Sequence, residues 1–105
     1  MLNSANPAQR TGLSNFGNAS LSTGANTIVA GGANLNGILV RTCLLISPSG
    51  GLVDLRNGSL AVYFAASNGA LQAYNGPGIV IPPGVALIVN SSIGGGSAYL
   101  TYDIL

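Results

Sequence analysis

What most constrains this chain is its punctuation. From Thr27 onward, short runs of β-branched and apolar residues are cut repeatedly by Gly, Asn-Gly or Pro-Gly. No window carries the i, i+3, i+4, i+7 spacing of an amphipathic helix. Of the 105 residues, 16 are glycine and 5 are proline, which is the turn chemistry that many short strands need. The pattern predicts an all-β fold, a small antiparallel β-sandwich or barrel of about seven or eight strands. No internal repeat is present, which argues against a solenoid.

The strands can be read one by one. Thr27–Ala30 is a short run closed by Gly31-Gly32. Leu35–Ile46 follows, and strict alternation would put Ile38, Val40, Thr42, Leu44 and Ile46 on one face and Leu39, Arg41, Cys43 and Leu45 on the other. Both faces are apolar enough for a central strand covered on both sides. Pro48-Ser49-Gly50-Gly51 is a turn. Leu52–Leu55 and Leu60–Ala66 are joined by Arg56-Asn57-Gly58-Ser59, where Asn-Gly predicts a type I′ turn, as it does again at Asn68-Gly69. Leu71–Tyr74 is expected to stop at Asn75-Gly76-Pro77-Gly78. Ile79–Ile81 and Val85–Asn90 flank Pro82-Pro83-Gly84, which marks a corner or a sheet edge because proline lacks a ladder donor. After the Gly94–Gly96 loop, Ser97–Ile104 is the last strand.

Residues 1–26 read differently, as a polar segment of Asn, Ser, Ala, Gly and Thr with only Leu2, Leu13, Phe16 and Leu21 as large apolar residues. We expect an N-terminal arm over 1–26 that orders against its own domain or a neighbour, and a sandwich domain over 27–105.

Charge narrows the function. Charged residues make up 5% of the chain, against about 25% in an ordinary soluble domain. They are Arg10, Arg41, Arg56, Asp54 and Asp103, for a net charge of +1, so little electrostatic repulsion keeps copies apart. A surface of this kind suits a subunit of a larger assembly. Three scattered arginines cannot supply the basic cluster that nucleic acid or a membrane surface requires. Met1-Leu2-Asn3-Ser4 has neither the basic start nor the apolar run of a signal peptide, and no stretch reaches the length of a membrane helix. Cys43 stands alone, which is expected to be a small buried hydrophobe of a protein folded in a reducing cytoplasm.

The inventory for catalysis is nearly empty. There is no His, Glu or Lys, so neither a Ser-His-Asp nor a Cys-His arrangement can be assembled. Asp54 and Arg56 share a strand face and are expected to form an ion pair worth about 0–1 kcal/mol if exposed. Arg41, the one charge inside a long apolar run, needs an aspartate, a neighbour's carbonyls or solvent for its five donors. Carboxylate or Cys/His clusters for a metal are missing, and the glycine pairs precede no helix and so read as turns. No enzyme activity and no cofactor is expected. The Asn-x-Ser triplets at Asn18, Asn57 and Asn90 are chance matches in an Asn- and Ser-rich chain.

Two segments together resemble a known group. One is NTIVAGGANLNGILVRT, residues 26–42. The other is the C-terminal half, with IVIPPGVALIV at 79–89 and AYLTYDIL at 98–105. They are similar to small jelly-roll-like virion proteins of tailed bacteriophages, of the capsid decoration or cement type. The resemblance implies a jelly-roll-like sandwich on the outer surface of a capsid, assembled in the host bacterial cytoplasm. Its partners would be the major capsid protein and further copies of itself, as a trimer or dimer. The expected interface residues are Leu2, Leu13, Phe16, Leu21, Arg41, Asp54 and Arg56. The alternative is a fibre or receptor-binding module that holds carbohydrate through Tyr63, Tyr74 or Tyr99 with Asn side chains. An ice-binding protein fits less well, because a regular Thr-x-Thr array is lacking.

Overall fold

The computed structural model describes residues 13–59 and 61–105. Eight strands follow in order: β1 (Leu13–Asn18), β2 (Gly24–Val29), β3 (Ile38–Ile46), β4 (Leu52–Asn57), β5 (Val62–Ser67), β6 (Leu71–Ile81), β7 (Leu87–Ser91) and β8 (Ser97–Ile104). A single 3-10 turn, Gly31–Ala33, is the only helical element among the described residues. Every strand pair is antiparallel, and the strands form two four-stranded sheets, β1-β8-β3-β6 and β2-β7-β4-β5.

The pairs β1–β8, β2–β7, β3–β6 and β4–β5 nest inside one another. That is one long hairpin rolled up, with β3–β8 and β4–β7 joining its turns side by side. The result is a jelly roll, in agreement with the expected β-sandwich. Residues facing inward from both sheets fill the core, among them Ile38, Leu45, Val53, Leu55, Ile81, Leu87 and Val89, all 0% exposed.

Four expectations need correction, each for a physical reason. First, β3 does not keep one alternation. Val40 pairs with Tyr102 but Thr42 pairs with Thr101, so Arg41 is an extra residue opposite β8. This bulge flips the parity. Ile38 and Val40 point into the core before it, and Cys43 and Leu45 after it. Second, β6 runs unbroken through Asn75–Gly78. Between Ile79, opposite Val40, and Asn75, opposite Thr42, it absorbs Gly76-Pro77-Gly78 across from the same bulge. Pro77 is tolerated there because β6 is an edge strand. Third, only Asn68 and Gly69, with φ of 52° and 78°, form the left-handed pair of a type I′ turn. At the other Asn-Gly neither residue has positive φ, and Asn57 Oδ1 instead accepts from the Ser59 and Ala61 amides. Fourth, residues 13–26, expected in the arm, are two strands and their connection, so the sandwich begins at Leu13. Residues 1–12 lie outside the described residues.

The two ends of the roll differ. One carries the 19–23, 47–51, 68–70 and 92–96 connections. The other carries the 3-10 turn, the 82–86 turn, the end of β8 and the point where the chain enters β1. At this second end Asn34, 1% exposed, acts as a staple. Its Nδ2 donates to the Pro82 and Val85 carbonyls at 2.7 and 2.9 Å, and its Oδ1 accepts from the Gly37 amide at 2.8 Å.

Candidate functional site

The outward face of the β1-β8-β3-β6 sheet is organised in rungs, because residues paired across neighbouring antiparallel strands project side by side. One rung is Asn15–Thr101–Thr42–Asn75, one residue from each of the four strands. The next is Gly17–Tyr99–Leu44–Ala73. Between them runs a groove of about 560 Å³ lined by both rungs. The hydroxyls of Thr42 and Thr101 are hydrogen-bonded to each other at 2.6 Å in its middle. Tyr99, 40% exposed, leans over Gly17, where an added Cβ would come within 3.2 Å of its ring.

The other three tyrosines are engaged elsewhere. Tyr102 is buried. Tyr63 accepts a hydrogen bond from Asn57 Nδ2 at 2.8 Å. Half-buried Tyr74 packs edge-on against Phe64 across the two sheets, with ring centres 5.9 Å apart. Of the tyrosines named as stacking platforms, Tyr99 is therefore the one presented to solvent.

The structure disperses the expected interface residues. Leu2 lies outside the described residues, and Leu13 is placed by its backbone pairing with Asp103. Phe16 packs against the core, and Leu21, 1% exposed, closes one end of the sandwich, its amide on Gly96 and its carbonyl taking the Gly95 amide. Leu21 is thus held within its own domain and is not available to a neighbour.

All four charged side chains among the described residues are paired internally. Arg41 Nε donates to Asp103 Oδ2 at 2.6 Å. Arg56 grips Asp54 with two parallel bonds of 2.6 and 2.7 Å, and the Asp54 side chain is only 2% exposed. This is the planar two-pronged pairing that suits a guanidinium to a carboxylate. It neutralises a carboxylate buried on the outward face of the second sheet.

Sequence reasoning missed the exposed apolar side chains. Leu35, 76% exposed, and Val80, 59% exposed, lie at the end of the roll where the chain enters β1. Leu35 sits between two asparagines in a glycine-rich connection, so no periodicity marks it. Cys43 is buried, and desolvation pushes its thiol up to about 12, far from the range of a nucleophile. Among the described residues no group of three or more His, Cys, Asp or Glu could hold a metal, and no helix is long and apolar enough to cross a membrane.

Comparison of the chain with protein-family models, with curated proteins and with solved structures gave no match.

Proposed function

We propose that this jelly roll is a structural subunit and not a catalyst: a tailed-phage virion protein of the decoration type, seated as a homo-oligomer on the outer surface of a capsid. One observation carries the assembly reading. The described exterior has its charges cancelled in internal pairs and leaves large apolar side chains exposed at both ends, with Leu52, Leu71 and Ile93 at one and the two most exposed, Leu35 and Val80, at the other. Such a surface is kept apart from other copies neither by charge nor by hydration. The phage setting rests on the sequence resemblance and on the jelly-roll topology it implied.

The end with Leu35 and Val80 is the contact surface in this reading, and β1 begins at the same end. Sedimentation equilibrium of the purified chain tests this. A stable dimer or trimer is expected, weakened by Leu35→Ser with Val80→Ser and by deletion of residues 2–12, with circular dichroism unchanged in each case. A parent chain that sediments as a monomer at every concentration contradicts the proposal. The deletion must stop at residue 12, because a cut through residue 20 removes β1 and would report on folding instead.

A further inference from the structure

We propose that the outward face of the β1-β8-β3-β6 sheet binds an uncharged oligosaccharide laid across the strands. This goes beyond the assembly role and does not depend on it. The two use different surfaces: the mid-sheet groove here, and the end with Leu35 and Val80 there.

The direction of the ligand follows from the rung. Asn15, Thr101, Thr42 and Asn75 form a row perpendicular to the strands. With strands about 4.8 Å apart, it extends for about 14 Å. Each carboxamide offers two donors and an acceptor, and among the described residues neither Asn15 nor Asn75 uses its side chain in another hydrogen bond. The Thr42–Thr101 pair uses one hydroxyl proton between its members. That leaves a second proton and spare lone pairs for a ligand. Hydroxyls and amides that both give and accept hydrogen bonds match the hydroxyl groups of a sugar chain.

The neighbouring rung supplies the complementary half of such a site. Tyr99 is the exposed aromatic ring, and it stands directly beside the polar row. Its ring lies over Gly17 on one edge strand, and on its other side Leu44 leads to the small Ala73 on the opposite edge strand. A pyranose ring has a polar rim and apolar C–H faces. It can therefore rest a face on Tyr99 while its hydroxyls reach the asparagines and threonines.

Charge selects among ligands. No charged side chain lines the groove, and the nearest two, Arg41 and Asp103, neutralise each other. A phosphate, a sulfated or uronic sugar, or a basic peptide would meet no counter-charge. An apolar peptide, or the Leu35 end of a second copy, would bury the Asn15 and Asn75 carboxamides without partners, at about 1–3 kcal/mol for each group left unsatisfied, while Thr42 and Thr101 would keep only each other. An uncharged glycan satisfies them.

The test is an NMR titration of the full chain with short oligomers of glucose, galactose, mannose and N-acetylglucosamine. At least one is expected to give saturable amide shifts centred on Thr42, Asn75, Tyr99 and Thr101. Tyr99→Ala should weaken that binding at least tenfold, and Asn75→Ala, on an exposed edge strand, severalfold, with the unliganded spectrum otherwise preserved. No shift with any oligomer overturns the proposal. So do shifts centred elsewhere, or binding that both variants leave unchanged. Shifts at the same residues that grow with protein concentration in the absence of sugar would place a second copy in the groove and also overturn it.

Discussion

Asn34 shows how a single side chain can hold a turn-rich end together. It is buried and engages three backbone groups that belong to two different connections. Replacing it by Ala leaves the Val85 carbonyl and the Gly37 amide without their partner and the Pro82 carbonyl with only the Val85 amide at 3.3 Å. We expect a loss of about 2–3 kcal/mol in urea unfolding. Asn34→Asp should not restore stability, because a carboxylate cannot donate to Pro82 and Val85. A loss below about 0.5 kcal/mol, no more than that of an ordinary surface change, contradicts the staple. Cys43 makes a second prediction, in alkaline solution. Its folded thiol is raised from 9.0 to about 12 by burial. Below pH 9 both folded and unfolded chains keep the proton and stability is unaffected. Between pH 9 and about 12 the unfolded chain releases it first, so stability falls as pH rises, by at most about 1.4 kcal/mol per unit. The fall in wild type should exceed that in Cys43→Ala over this window. Equal slopes contradict a buried, protonated thiol.

At the scale of elements, the bulge at Arg41 decides which half of β3 faces inward. Arg41→Ala keeps the extra residue but takes one partner from a carboxylate whose side chain is only 8% exposed, for a cost of about 1–3 kcal/mol. Deleting Arg41 removes the parity flip and turns either Ile38 and Val40 or Cys43 and Leu45 out of the core. We expect that deletion to abolish cooperative unfolding and near-ultraviolet circular dichroism. A deletion variant as stable as Arg41→Ala would contradict the bulge. The same element explains why the sequence was only partly legible. β8 could be read to the residue, since Ala98, Leu100 and Tyr102 alternate without interruption. β3 could be located, but its faces could not, because nothing local to Val40-Arg41-Thr42 announces an extra residue. β6 looked like two strands because Pro77 and its glycines resemble a turn, when an edge position absorbs them. β1 was hidden because its inward positions are Ser14, Phe16 and Asn18, a single large apolar residue among them. The groove was least legible of all. Its polar row comes from positions 15, 42, 75 and 101, and only the rolled-up hairpin brings them side by side.

At the scale of the molecule, the nested strand pairing places a hydroxyl- and amide-bearing row on one outward face and exposed apolar side chains at both ends, the two most exposed being Leu35 and Val80. Among the described residues each charge is spent on another within the same sheet, so these four contribute little to steering the protein toward a partner. Recognition therefore rests on shape, apolar contact and hydrogen bonding, and association should depend only weakly on salt. The central claim is that the chain is a building unit of a particle. On the proposed reading, an image reconstruction of phage particles purified from cells that produce the chain tests this most directly. The expected result is a jelly-roll density on the outer surface of the shell, repeated with the shell's symmetry, with the end bearing Leu35 and Val80 against a neighbouring subunit. Purified, infectious particles that lack the chain, although infected cells make it, would contradict the account.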